Sequence, residues 1–423
     1  MTSTDDADGH WAEGPALTSR NAAFRDDPHV FYDRLRAAAP RFRDAVYGRT
    51  LLTRYDEVRA ALRDKHLSVD ARLAEDHSYM RRVAGTGVME GRGDSAYEPP
   101  LVLLDDPAHR RIRSLVSRAF NPRAVQAMEG RIEAITADLL DAIGDSAEID
   151  FIADFAAPLP TQAILDMMGM SDAPRDDFKR WSEAVLWGYD PERDGAIQSR
   201  LKQAFLGMAS AFRAAIAARR QRPGDDLISA MVRAQEEEDR LSDLEIISLC
   251  TQLMVAGNVT TTDLIGNGLH ALLTHPDELA LLRAEPHRIE YAVEEMLRFD
   301  CPITETARIA LEDAGVGGCP VHAGDTLTAS LAAANHDPEQ FQDPHAFRIG
   351  REPREHLGFG SGIHVCLGAP LARLEARIAI RRFLERFPEI RLHPQRLPRR
   401  RALPFFRGFT TLPLRLGRST REG

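Results

Sequence analysis

Long apolar runs are missing from this sequence of 423 residues. A membrane-spanning helix needs about 20 consecutive apolar residues. The richest stretch here, 246–256, is interrupted by Ser248, Thr251 and Gln252. No leader is expected either. The opening MTSTDDADGHWAEG is polar and acidic, without the basic start and apolar centre of a secretion signal. Residues 1–14 are therefore expected to form a frayed tail, and the protein to stay in the cytoplasm away from membranes. Cysteine is scarce: Cys250, Cys301, Cys319 and Cys366 form no CxxC pair. That argues against a cysteine zinc site or a disulfide framework and fits a reducing compartment. Positive charge is not in excess. A net charge of -10 argues against a general nucleic-acid binder. Repeats and low-complexity linkers are absent, so 15–423 reads as a single domain.

What is present is helix. With 43% hydrophobic and 28% charged residues, the composition is that of a globular protein. Helical periodicity covers 30–38, 55–64, 108–120, 122–143, 160–168, 196–219, 225–235, 243–274, 276–284, 286–299 and 370–387. Strand-like pieces are short: 50–54, 306–310, 326–334 and a last hairpin over 405–416. The expected fold is mainly α with a small β part.

The helix at 243–274 has a clear start and stop. Ser242 and Glu245 make an S-x-x-E capping box, and His275-Pro276 ends it. At about 1.5 Å per residue it crosses the whole domain. Its middle reads AGNVTTTD, Ala256 to Asp263, which is poor helix material. Gly257 costs about 1 kcal/mol against alanine, and threonine hydroxyls compete for the backbone. Such a weak point at a protein's centre marks a site.

A second unusual stretch is HLGFGSGIHVCLGAPLAR, residues 356–373. It is not a nucleotide loop, because no strand–GxGxxG–helix order surrounds it. Pro370 marks the first turn of the next helix, so Cys366 stands just ahead of a helix N-terminus. Free N–H groups near residues 367–369 and the helix dipole both favour thiolate. Gly360, Gly362 and Gly368 would let a flat object approach the backbone.

FGSGIHVCLG resembles the cysteine signature of the cytochrome P450 family, and residues 31–416 resemble its soluble bacterial branch. Phe359, Gly360, Gly362, His364, Cys366 and Gly368 carry the match. The resemblance implies a P450-like fold with haem b (iron protoporphyrin IX) between the long central helix and the cysteine-loop helix. It makes Cys366 the iron ligand, pushing electron density onto the metal, with Phe359 beside the sulfur. His109 and Arg113, at i and i+4 on one helix face, match the propionate positions together with Arg308 and His364. Glu295 and Arg298 match a buried structural pair, with Arg348 or Arg351 completing it. Arg110, Arg111 and Arg118 are candidates for a basic docking patch.

The resemblance also accounts for the octet. Thr260 matches the threonine that hydrogen-bonds bound dioxygen, and Ala256 and Gly257 match the small residues that open the groove. Protons must reach the oxygen through hydroxyls and ordered water. One position departs: the acid expected before the threonine is Val259. Asp263, one turn along, is one replacement; a water chain ordered by Asn258 and Thr260 is another; peroxide that brings its own protons is a third. Gln252, Val255, Ile303, Thr304, Phe405 and Phe406 match substrate-facing positions, and 77–94 a flexible lid. The implied activity is a monooxygenase that hydroxylates or epoxidises an apolar small molecule such as a terpenoid, steroid, aromatic or polyketide. Its electrons would come from a ferredoxin and an NAD(P)H-dependent ferredoxin reductase. The rivals are a peroxide-driven peroxygenase and a non-enzymatic haem sensor, which would need an output segment.

Overall fold

The capping box forms as the sequence predicts. Ser242 Oγ accepts from Glu245 N at 3.1 Å, and Glu245 Oε2 accepts from Ser242 N at 2.7 Å. The helix it opens runs unbroken from Asp243–Thr274. The octet does not interrupt it, because the hydroxyls bond back within the helix: Thr260 Oγ1 donates to Ala256 O at 2.6 Å and Thr262 Oγ1 to Asn258 O at 3.0 Å.

The computed structural model describes residues 13–84, 98–238, 241–352 and 354–417. Of the expected tail, residues 1–12 lie outside these, whereas Gly14 is buried and donates its N–H to Asp44 Oδ1 at 3.0 Å. In chain order the helices are α1 Ala22–Asp26, α2 His29–Ala38, α3 Tyr55–Arg63, α4 Tyr79–Ala84, α5 Ala108–Val116, α6 Pro122–Ala127, α7 Glu129–Ile143 and α8 Pro158–Met167. They continue as α9 Arg175–Leu186, α10 Gly195–Gln221, α11 Leu227–Glu238, α12 Asp243–Thr274, α13 Pro276–Ala284, α14 Ile289–Phe299, α15 Leu331–Ala334 and α16 Ala369–Arg386. The strands are β1 Arg41–Asp44, β2 Arg49–Leu52, β3 Leu67–Ser68, β4 Glu148–Asp150, β5 Glu305–Ala310, β6 Ala314–Val316, β7 Cys319–Val321, β8 Thr326–Ser330, β9 Ile390–Leu392, β10 Arg399–Arg400, β11 Phe409–Thr411 and β12 Pro413–Leu416.

Five strands form one sheet in the order β1-β2-β8-β5-β3. Its interior holds Arg49, wholly buried, with Nε 3.0 Å from Asp44 and Nη1 2.8 Å from Glu305. The largest core lies around α12, whose apolar side chains pack with those of α7, α8, α14 and α16. Among the described residues no helix is long and apolar enough to cross a membrane.

Four expectations are corrected. Residues 122–143 are two helices, broken at Met128. Residues 331–334 leave the strand for a helical turn, because Ser330 Oγ caps Ala333 N. The last segment is not a hairpin: β11 pairs with β10, while β12 pairs with β4 and β9. The first part of the expected lid is packed rather than loose, with Tyr79, Met80 and Val83 buried in α4; residues 85–97 lie outside the described ones.

Candidate active site

Accessible residues in the middle of α12 and just ahead of α16 mark a hollow beside both helices. Ala256, in the centre of an otherwise buried helix, is exposed, and Thr260 one turn on is half-exposed. Ahead of α16 stands the cysteine loop. Cys366 N donates to Phe359 O at 2.9 Å, and Gly360 N to Leu357 O at 2.8 Å, folding the loop back on itself. Gly360 and Gly362 take φ of +70° and +74°, which side chains rarely adopt. Gly362 also lies against α3, where a Cβ would come within 2.4 Å of Leu62 O. Its smallness serves that contact and not a flat ligand, contrary to expectation. At Gly368, by contrast, a Cβ would meet nothing within 4 Å.

Gly368 caps α16, which begins at Ala369 with Pro370 in its first turn. Cys366 is exposed to the hollow, yet protein atoms crowd round it. Burial pushes its thiol up, opposed by the N–H groups of Gly368 and Ala369 and the charge of Arg113. The helix start favours thiolate as expected, and burial acts against it. Phe359 packs its ring under Arg373, whose guanidinium carbon lies 4.6 Å from the ring centre.

Four bases converge on the same hollow. His109 and His364 stand with ring centres 4.4 Å apart, and each has a buried Nε2 without a hydrogen-bond partner among the described residues. Burial, then the charges of Arg308, His109 and Arg113, push His364 down to about 3. Arg308 is buried, donates only to Thr306 and Ala307, and is lowered to about 10 by burial. Arg113 donates to Val365 O at 2.7 Å. His109 Nδ1 lies 3.5 Å from Asp106, but the two arginines and His364 have no carboxylate partner among the described residues, and clustered bases of this kind are the donor set that a dianion requires. With an accessible thiol and bare glycine backbone alongside, these residues fit a haem with two propionates.

The remaining expectations divide. Glu295 and Arg298 form a buried bidentate pair, at 2.7 and 2.8 Å. Arg351 completes it, its Nε 3.2 Å from both Glu295 oxygens, while Arg348 turns to Asp343. Asn258 does not reach the Thr260 groove. Residues i and i+2 do not share a helix face, and Asn258 Oδ1 accepts from Thr161 Oγ1 of α8 at 3.0 Å. Asn258 is thus turned toward α8. Gly257 also faces α8, where a Cβ would approach Ile164 to 3.0 Å.

Asp263 is three residues from Thr260, on the neighbouring face. It is fully buried, accepts from Arg401 Nη2 at 2.8 Å through Oδ1, and leaves Oδ2 unpartnered among the described residues. Burial raises it to about 6 against the pull of Arg401.

Of the substrate-facing set, Ile303 bridges to Phe406, and Thr304 N donates to Phe405 O at 2.8 Å. Val255 is buried, and Gln252 Oε1 is buried without a partner among the described residues. Two aromatics escaped the sequence reading: Tyr79 stacks edge-on to Phe405 at 4.9 Å, and Tyr189 to Phe406 at 5.8 Å. Only their residue type marked them beforehand. The docking patch is weaker than expected, since Arg110 pairs with Asp106 at 2.6 Å and Arg111 with Glu245. The side chain of Arg118 lies outside the described residues.

The cytochrome P450 family model matches residues 161–414. The chain is 39% identical over 414 residues to cytochrome P450 107B1 of Saccharopolyspora erythraea, covering 96% of this chain and 99% of that one. The chain belongs to the cytochrome P450 family. A second relative of this P450 is 6-deoxyerythronolide B hydroxylase of the same organism, 40% identical over 399 residues, covering 93% and 97%. Among solved structures, the myxobacterial P450 CYP267B1 in complex with myristic acid superposes with a TM-score of 0.85 at 38% identity, covering 93% and 98%. Like its named relatives, this P450 is a haem-iron oxidoreductase of the monooxygenase class.

Proposed function

We propose that the protein is a cytoplasmic, single-domain haem b monooxygenase that hydroxylates or epoxidises an apolar small molecule with electrons from a ferredoxin and its NAD(P)H-dependent reductase. The observation that carries this reading is the cluster of bases, His109, Arg113, Arg308 and His364, with the Nε2 atoms of both histidines unpartnered among the described residues, beside the accessible thiol of Cys366. Bound there, the haem supplies activation of dioxygen and transfer of one oxygen atom to substrate. The four bases would hold its propionates, and Cys366 would ligate its iron.

The chain's own residues do the rest. Ala256 leaves room for dioxygen against the helix backbone. Thr260 Oγ1, now donating to Ala256 O, turns to share its proton with dioxygen. Asp263, near neutral in its proton affinity and one helical turn away, resupplies that proton in place of the acid missing at Val259. Phe405, Phe406, Ile303 and Val255, with Tyr79 and Tyr189 behind them, exclude water and grip an apolar skeleton. Gln252, with its free carbonyl oxygen, offers one polar handle. Relatives named as a 6-deoxyerythronolide B hydroxylase and a polyketide biosynthesis P450 favour a polyketide-type substrate.

A carbon monoxide difference spectrum of the reduced protein tests the ligand: a band near 450 nm is expected, and its absence from correctly folded protein rejects Cys366. Polyketide macrolactones should shift the iron's spin state on binding. Turnover with added peroxide, at the rate seen with ferredoxin and reductase, would favour the peroxygenase instead.

A further inference from the structure

The segment that carries Phe405 and Phe406 is closed by its own backbone. Arg401 N donates to Gly408 O at 3.0 Å, and Arg407 N donates to Pro302 O at 2.8 Å. Asn267 of α12 donates to the carbonyls of Asp300 and Arg407, both at 2.9 Å. Gly408 is buried, and Asp263 fills the place of its missing side chain. A Cβ at 408 would lie 2.0 Å from Asp263 Oδ1, 2.1 Å from Cγ and 2.7 Å from Cβ.

No left-handed backbone calls for glycine at 408. Positive φ in this segment belongs instead to Phe405, at +69°. What glycine supplies is room, and the room is taken by one side chain. Turning Oδ1 aside would not make space for a methyl, because Asp263 Cβ, fixed to α12, would still be 2.7 Å away. The same arrangement decides which oxygen bears the acid's proton. Oδ1 accepts from Arg401 Nη2 at 2.8 Å, whereas Oδ2 is buried and unpartnered among the described residues. An oxygen already engaged by a guanidinium is the poorer base, so the neutral acid carries its proton on Oδ2. The other charges that act on Asp263 are Arg400 and Asp300, which pair with each other at 2.8 Å.

We propose that Gly408 is a positioning residue for proton delivery: its bare Cα is the seat in which the Asp263 carboxyl rests, with Oδ1 turned to Arg401 and the proton left on Oδ2. The inference rests on the role proposed above for Asp263, as the acid that resupplies Thr260, and extends that role to the C-terminal segment. Arg401 grips the carboxyl, and Gly408 makes room for it. The N–H of the first and the carbonyl of the second are bonded to each other, so grip and seat keep a fixed relation. Between them in the chain lie Phe405 and Phe406, the aromatics proposed to face substrate. Residues 401–408 thus join the acid's support to the substrate's contacts in one closed turn. Asn267, one helical turn past Asp263, fastens that turn to α12 by the Arg407 carbonyl. Proton carriers work only when held close to their productive geometry, which is the service such a seat performs.

Two measurements on haem-loaded protein test it. The first is steric. Gly408→Ala should lower the thermal midpoint of the wild type but not of Asp263→Ala, where the new methyl enters the space left by the carboxyl. Equal loss in both backgrounds, loss in neither, or a double variant that fails to fold overturns the seat. The second reads product and peroxide per NAD(P)H consumed, with a macrolactone chosen for its spin-state shift. Gly408→Ala should cut product by up to about 100-fold, raise peroxide, and leave the midpoint of the spin-state titration in place. Made in Asp263→Asn, the same change should add nothing to the uncoupling, because no proton remains to be positioned. If Asp263→Asn uncouples turnover and Gly408→Ala does not, the positioning role falls and the proton path through Asp263 stands. If Asp263→Asn stays coupled, that path falls, and the positioning role with it.

Discussion

Arg401 holds Asp263 across 138 residues of chain, its Nη2 donating to Oδ1 at 2.8 Å inside the protein. The contact tethers the segment after β10 to the middle of α12, one turn past Thr260. It also sets the acid's proton affinity, because burial pushes Asp263 up to about 6 and Arg401 pulls it back. Removing the arginine charge should raise the acid further.

Asp263→Asn should therefore slow product formation by about 100-fold, the low end for losing a positioned proton carrier. More reductant should be lost as peroxide. Arg401→Gln should move the alkaline limb of the rate profile, where the acid loses its proton, to higher pH, and that limb should vanish in Asp263→Asn. Product and peroxide formed per NAD(P)H consumed measure both effects. Unchanged coupling in the asparagine variant removes Asp263 from the proton path.

Two glycines of the cysteine loop should fail in different ways. Gly362→Ala forces a side chain into φ +74° with Leu62 O 2.4 Å away, so the loop itself must shift. A loss of about 1–3 kcal/mol is expected even without haem. Gly368→Ala meets no protein atom. It should fold normally and bind haem poorly. Thermal unfolding of the haem-free proteins, set against their haem content after reconstitution, separates the two.

Arg49 neutralises Asp44 and Glu305 in the sheet interior and lies over the rings of Tyr47 and Tyr79, 5.3 and 5.2 Å from their centres. Arg49→Met would strand two buried carboxylates. A loss of about 3–5 kcal/mol follows, the usual result of breaking such a cluster from one side. Denaturant titration of the variant against wild type gives the figure. A change below about 1 kcal/mol would mean that water reaches the site.

Glu375 of α16 is buried, and its Oε2 has no partner among the described residues. Burial raises it from the ordinary 4.5 to about 8. The folded state then binds a proton that the unfolded state releases, so stability falls as pH rises between those values. Glu375→Gln removes this dependence. It should match wild type near pH 4 and exceed it progressively up to pH 8, each pKa unit being worth about 1.4 kcal/mol. Thermal midpoints across that range decide it; parallel curves would show that the carboxyl is solvated.

Much of this was legible before any coordinates. α12 matches its expected bounds because both ends carry local signals, a capping box and His275-Pro276. The cysteine loop was legible because its glycines and histidine stand at fixed spacing around Cys366. α9 was missed: Phe178, Val185 and Leu186 give it an apolar stripe, but charged residues surround them and no side chain caps its start. The contact of Asn258 with Thr161 was not legible, because the two lie 97 residues apart. The Asp263–Arg401 and Arg49–Glu305 pairs were invisible because each joins residues more than 100 apart, which no local pattern encodes.

The partners of Phe405 and Phe406 have one last implication. Tyr79, Tyr189 and the C-terminal phenylalanines are themselves neither part of the cysteine loop nor among its bases. Selection could therefore remodel the roof residue by residue while the oxidising floor stays fixed, so a lineage could acquire new chemistry targets without rebuilding its engine.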